Sequence, residues 1–257
     1  MLLDVTKFES FDGTTLAYES EGDGVPVLLL HGFATDAYIN WVRPGVVGAL
    51  TRGGYRTIAL DQRGHGGSDK PHEPDAYGDD AMIRDAQALL DHLGIERCLA
   101  AGYSMGARNT LGLVLADERI RAAVLGGVGS NLLNARAFGG AVADAMLAAD
   151  RSTVTDPTAK SFREFADLTG ADKHALAAVM RNERPPLTGL DRIGIPILVL
   201  CGDTDPLVGS PQSLADAIPG ARSAIVGGTH LNVVNNPAFH DELKSFLDEN
   251  RDAAASR

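Results

Sequence analysis

The pentapeptide Gly102-Tyr103-Ser104-Met105-Gly106 constrains this chain more than any other stretch. An apolar run, Cys98-Leu99-Ala100-Ala101, precedes it, and a segment carrying Leu111, Leu113, Val114 and Leu115 follows. That order predicts a strand, a tight turn with serine at its apex, and a helix. Glycine two places either side of Ser104 has a steric reason, because a side chain there would strike the backbone of so tight a turn. The serine itself must take a strained conformation, which pushes its hydroxyl out of the fold.

The rest of the chain supplies the rhythm of a layered fold. Val5–Glu9 and Thr14–Glu19 read as two short strands joined through Asp12-Gly13, a hairpin signal. Val25-Pro26-Val27-Leu28-Leu29-Leu30 is continuously apolar, the pattern of a strand buried on both faces. A helix follows around Pro44–Arg52, with Val46, Val47 and Leu50 as its apolar stripe, then a strand over Tyr55–Leu60. Met82, Ala86, Leu89, Leu90 and Leu93 recur at helical spacing within Asp79–Leu93. Arg97–Ala101 and Ala122–Leu125 are further strands, and strand–helix alternation of this kind predicts a parallel sheet covered by helices on both faces.

The alternation stops between about Asn131 and Leu187. Ala135–Ala149, Phe162–Leu168 and Lys173–Arg181 look helical, and Pro185-Pro186 ends the segment because proline cannot continue a helix. We expect residues 1–130 and 188–257 to form one core, with residues 131–187 inserted as a helical cap over the edge of the sheet. Alternation resumes with Ile195–Leu200, a helix over Leu214–Ile218, a strand over Ser223–Val226 and an amphipathic helix over Pro237–Leu247. The tail from Ala253 to Arg257 reads as frayed.

Bulk properties exclude several classes of function. The net charge of −11, with no run of Lys or Arg, disfavours nucleic acid and anionic membranes as partners. No apolar stretch approaches the ~20 residues needed to cross a bilayer. The start, Met1–Lys7, lacks the basic and long apolar regions of a signal peptide, so the expected location is cytoplasmic. Cys98 and Cys201 fall in expected buried strands and read as free, packed thiols. No His/Cys/Asp cluster has metal-ligand spacing, and no glycine-rich phosphate loop follows the first strand, so neither metal nor cofactor is expected.

The chemistry-bearing residues stand just after expected strands, where open parallel sheets bind ligands. A serine needs a base to accept its proton. Of His31, His65 and His230, the three histidines at strand ends, only His230 follows the elbow. That base needs an acceptor on its other nitrogen, and Asp203 and Asp205 both follow the preceding strand. An oxyanion needs N–H donors. The Met105 amide opens a helix, and the Phe33 amide follows His31-Gly32 at the end of the third strand. Trp41, Tyr103, Phe138 and Phe162, together with Tyr38, are the aromatic candidates for an apolar acyl or aryl pocket. His72, His92, His174 and His240 read as surface residues, as do the cap acids Glu164 and Glu183.

In this order, His31-Gly32-Phe33, Asp61-Gln62-Arg63-Gly64-His65-Gly66-Gly67-Ser68, the serine pentapeptide, Gly202-Asp203-Thr204-Asp205 and Gly228-Thr229-His230 resemble the α/β-hydrolase superfamily over Val5–Leu247. The resemblance implies an eight-stranded, mostly parallel sheet with a cap inserted after the sixth strand. It favours Asp205 over Asp203 as the acid, and it makes Asp61, Arg63 and His65 loop-fixing groups. It further implies a cofactor-independent serine hydrolase acting on a small-molecule ester or related acyl substrate. The apex serine argues against the dehalogenase and epoxide-hydrolase branches of this fold, whose nucleophile is aspartate. Carbon–carbon bond hydrolases, cofactor-free haloperoxidases and proline iminopeptidases share the same constellation, and a non-catalytic receptor on the same scaffold is the competing class.

Overall fold

A computed structural model describes residues 5–133, 139–182 and 184–255. Eight strands form one sheet in the order β1-β2-β4-β3-β5-β6-β7-β8. They are β1 (Thr6–Glu9), β2 (Thr15–Glu21), β3 (Val25–Leu30), β4 (Tyr55–Asp61), β5 (Cys98–Tyr103), β6 (Ile120–Gly126), β7 (Ile197–Gly202) and β8 (Arg222–Val226). β1 pairs antiparallel with β2 and β2 antiparallel with β4, while every other pairing is parallel. This is the mostly parallel, eight-stranded arrangement that the resemblance implies, with the parallel core that the strand–helix alternation predicts. The exchange of β3 and β4 in spatial order could not be read from the apolar runs.

Helices cover both faces because successive strand residues point to opposite sides. Leu28, Leu30, Ile58, Leu60 and Ala100 face one core, shared with residues of α2 (Ala81–His92) and α3 (Met105–Ala116). Val27, Leu29, Ala59, Leu99 and Ala101 face the other, shared with α1 (Val46–Arg52) and α8 (Pro237–Glu249). The expectation of fraying from Ala253 onward does not hold for Ala253 and Ala254, while Ser256 and Arg257 lie outside the described residues. Arg251–Ala254 is a short helix, and Ala254 is 1% exposed within the second core. Arg251 anchors it by donating to the carbonyls of Gly53 and Gly54, tertiary partners that a local reading of Ala-rich sequence does not see.

Three helices, α4 (Gly139–Leu147), α5 (Pro157–Thr169) and α6 (Lys173–Arg181), lie in sequence between β6 and β7. The expected helix over Ala135–Ala149 lies in part outside the described residues. The helix expected over Phe162–Leu168 starts earlier, at Pro157, because the Asp156 carboxylate accepts the Ala159 amide and proline suits the first helical turn. Buried Arg163 joins α5 to α4. Its Nη1 donates to the carbonyls of Ala145 (2.7 Å) and Ala148 (2.8 Å), at the end where helix carbonyls lack partners. Apolar residues of the three helices share a cluster with Phe33, Ala34, Tyr77 and Met82. The group therefore stands over the loops that leave the carboxyl ends of β3 and β4.

Candidate active site

The turn at Ser104 follows from its two glycines. A Cβ at Gly102 would collide with the Gly106 carbonyl and Thr110, and one at Gly106 would collide with the carbonyls of Leu30 and His31. Backbone atoms cannot swing aside as a flexible side chain can. With that close approach allowed, Ser104 sits at φ 52°, ψ −111°, between β5 and α3. A non-glycine residue at positive φ is strained. The strain is held by the Ser104 amide, which donates to the Gly126 carbonyl at 2.8 Å.

Two loops meet this turn. The loop after β8 carries His230, which is buried, and the loop after β7 carries Asp205, whose side chain is fully buried. His230 Nε2 lies 2.9 Å from Ser104 Oγ, and His230 Nδ1 lies 2.7 Å from Asp205 Oδ2. The carboxylate favours a proton on Nδ1, which leaves Nε2 free to accept from the serine hydroxyl. The other Asp205 oxygen accepts the Leu207 amide at 3.0 Å. Asp203 has a separate place. It is exposed, and its Oδ1 accepts the Gly228 amide at 2.9 Å, tying the β7 loop to the β8 loop two residues before His230.

Tyr103 braces the same histidine. Its hydroxyl donates 2.6 Å to the His230 carbonyl, and burial, with the nearby Asp205 charge, pushes the phenol well above its usual range. It therefore remains a neutral donor. The sequence marks Tyr103 only as a pocket residue and carries no signal for this contact, because the fold alone joins two residues so far apart in the chain.

The Met105 amide belongs to the first turn of α3, where helix N–H groups lack partners within the helix. Phe33 follows Gly32, whose own amide donates to Asn40 Oδ1 at 3.0 Å. Among the described residues neither the Phe33 nor the Met105 amide is taken by a protein acceptor.

A cavity of about 70 Å³ opens at Ser104 and His230. Phe33, Tyr103 and Phe162 line it, joined by Ile39, Phe165 and Val234, and Thr35, Asn40 and Asn235 give it a polar side. Trp41 is corrected. It is fully buried in the core beside Val27 and Leu29, because a single π turn over Tyr38–Val42 directs Asn40 to the cavity and Trp41 inward. Tyr38 is exposed and does not line the cavity. Phe138 lies outside the described residues, as does Glu183. Glu164 is exposed, away from the cavity.

The motif after β4 holds loops together. Asp61 accepts the amides of Ala37 (2.9 Å) and Gly67 (2.7 Å). Arg63 makes a two-pronged pair with Asp85, at 2.6 and 2.7 Å, and a third contact to Asp12 at 2.9 Å. His31 is fully buried, bonded to the Gly32 carbonyl and the Gln62 amide, and burial pulls its pKa down to about 4. His65 is pulled down to about 3 by burial and by His31 beside it, and it does not line the Ser104 cavity. Among the described residues no group of three His, Cys, Asp or Glu side chains is placed to hold a metal ion, and no helix is long and apolar enough to cross a membrane.

Fold and site together define a doubly covered α/β architecture with a serine turn, and comparison with known proteins agrees. A family model described as the alpha/beta hydrolase fold matches residues 25–173, and the chain belongs to that family. Epoxide hydrolase A of Mycobacterium tuberculosis is 39% identical over 98 residues, which are 37% of this chain and 30% of that protein's length. The chain thus matches under a third of that relative. An esterase from Rhodococcus sp. has a similar structure, with TM-score 0.77 and 26% identity over 96% of this chain and 99% of the other. The enol-lactonase of Burkholderia xenovorans follows with TM-score 0.72 and 27% identity over 95% and 100%.

Proposed function

We propose that this protein is a serine hydrolase of small esters or related acyl compounds. One observation carries the reading: Ser104 Oγ, His230 and Asp205 form a continuous hydrogen-bonded chain at the carboxyl end of the sheet. Ser104 Oγ attacks the acyl carbon while its proton passes to His230 Nε2. Asp205 orients the ring and stabilises the imidazolium. The negative oxygen is received by the amides of Phe33 and Met105, a contribution worth about 3 kcal/mol per donor in enzymes of this kind. The C–O bond to the alcohol then breaks, and His230 returns the proton to the departing oxygen. Water attacks the acyl-serine with His230 again as base, releasing the acid and restoring Ser104.

The likeness to a solved esterase and a solved enol-lactonase supports acyl chemistry, a lactone being a cyclic ester. No carboxylate stands at the nucleophile position, although a curated relative is an epoxide hydrolase. Residues 131–187 act as a cap whose Phe162 and Phe165 close over the acyl group. The cavity of about 70 Å³ favours short acyl chains, since drug-sized ligands need ~300 Å³ or more.

The test is turnover of a p-nitrophenyl ester series by the wild type and Ser104→Ala, with fluorophosphonate labelling. The expected result is faster turnover of acetate and butyrate than of long esters, and labelling at Ser104 only. Turnover unchanged in Ser104→Ala would overturn the proposal, and ligand binding without labelling would favour a receptor.

A further inference from the structure

The loop that leaves β3 carries the Phe33 amide, and α5 grips that loop at two points. The first is a ring contact. Phe162 of α5 meets Phe33 edge-on, with ring centres 5.6 Å apart. The second is a hydrogen bond about two turns further along α5, where Thr169 Oγ1 donates to the Ala34 carbonyl at 2.9 Å. The same hydroxyl lies 3.3 Å from the Ala166 carbonyl of its own helix, the longer and weaker of the two contacts.

The conformation of Ala34 gives the second contact its weight. Ala34 is fully buried and stands at φ 59°, in the left-handed region. That region crowds a Cβ against the backbone, and a non-glycine residue stays there only where its surroundings hold it. Core residues hold the loop at its ends. The Gly32 amide donates to Asn40 Oδ1 at 3.0 Å, and the Ala37 amide donates to Asp61 Oδ1 at 2.9 Å. Between these anchors, among the described residues, the Thr169 contact is the one hydrogen bond to Phe33, Ala34 or Thr35.

We infer that Thr169 is a positioning residue for the reaction proposed at Ser104: by holding the Ala34 carbonyl it keeps this turn left-handed and so aims the Phe33 amide at the oxyanion. The role rests on the proposed assignment of the Phe33 amide as an oxyanion donor. Released from Thr169, Ala34 relaxes towards negative φ and carries the neighbouring Phe33 peptide with it. The loss then falls on the charged intermediate and not on the neutral bound ester.

The test compares the wild type, Thr169→Val, Thr169→Ser, Ala34→Gly and the double variant Ala34→Gly/Thr169→Val. Each is assayed on p-nitrophenyl acetate and for inhibition by trifluoroacetone, whose carbonyl carbon bonds to Ser104 Oγ and leaves an oxyanion in the same place. Thr169→Val keeps the side-chain shape and removes the donor. Its kcat should fall about tenfold, short of the ~10²–10³ lost with an oxyanion donor itself, with KM within about twofold of wild type. Affinity for trifluoroacetone should fall in step with kcat. Thr169→Ser keeps the hydroxyl and should recover most of the loss. Glycine takes positive φ without steric cost, so adding Thr169→Val to Ala34→Gly should lower kcat less than about threefold.

Unchanged kcat and inhibitor affinity in Thr169→Val, a change in KM alone, or an equal loss in both backgrounds overturns the proposal, while fluorophosphonate labelling of Ser104 leaves the serine reading standing. A wild type that neither turns over the ester nor takes the label overturns both. Should Thr169→Val fail to fold by circular dichroism, Thr169→Ala, which also lacks the hydroxyl, decides in its place.

Discussion

The Tyr103 hydroxyl donates a 2.6 Å hydrogen bond to the His230 carbonyl, so the residue before the elbow serine positions the histidine that faces it. Tyr103 is buried, and removing its hydroxyl would leave a buried carbonyl without its donor. Tyr103→Phe should cost about 1–2 kcal/mol of stability. The same variant should lower kcat about tenfold on p-nitrophenyl acetate with KM little changed, because the loss falls on His230 geometry. Urea unfolding and steady-state kinetics check both, and a change in KM alone would point to a pocket role instead.

The two aspartates after β7 should separate cleanly. Asp205→Asn leaves the imidazole without the acceptor that sets its tautomer, and kcat should fall by ~10⁴. Asp203→Asn keeps an oxygen for the Gly228 amide and should stay within about threefold of wild type, the residual effect of a strained loop bond. Parallel kinetics decide. The assignment fails if the Asp203 variant shows the large loss and the Asp205 variant does not.

Burial holds His31 near 4 and His65 near 3, both below the unfolded value of 6.5. Below pH 6.5 the unfolded chain takes up protons that these folded imidazoles refuse. Their contribution to stability is therefore fully present above pH 6.5 and is lost as the pH falls from there towards 4 and 3. Between pH 7 and pH 5 the loss should be about 2 kcal/mol per imidazole. Nitrogen-15 NMR should find both rings neutral at pH 5, and an imidazolium signature from either at that pH would contradict the reading.

Two glycines should respond oppositely to alanine. Gly106→Ala drives a methyl into the carbonyls of Leu30 and His31 and should cost about 2–3 kcal/mol and most of the activity. Among the described residues no atom lies within 4 Å of where a Cβ on Gly140, in α4, would stand, and Gly140→Ala should gain about 0.5–1 kcal/mol. Thermal unfolding of the two variants side by side measures the difference.

Much of this fold was legible in the chain because its signals are local. β3 and α6 run over the residues that the apolar pattern marks, and β1 and β2 pair across Asp12-Gly13 as the turn residues require. Helix starts were less legible where a cap and proline set them, as Asp156 and Pro157 do for α5. At the candidate site, the residue types and their order are visible in sequence, whereas the pocket aromatics are not. Tyr103 and Phe162 reach the cavity, but Trp41 does not, since aromatic side chains serve core and pocket alike and only their direction distinguishes them.

By itself the sequence determined what short-range sterics and periodicity can determine: a glycine-flanked serine turn, strands buried on both faces, and helices between them. The tertiary structure alone decided the position of β3 between β4 and β5. It also decided that Tyr103 meets the His230 carbonyl and that Asp203 ties the β7 loop to the β8 loop. These depend on loops and helices far apart in the chain, and a side chain's partner across such a distance is set by packing, not by its neighbours in sequence.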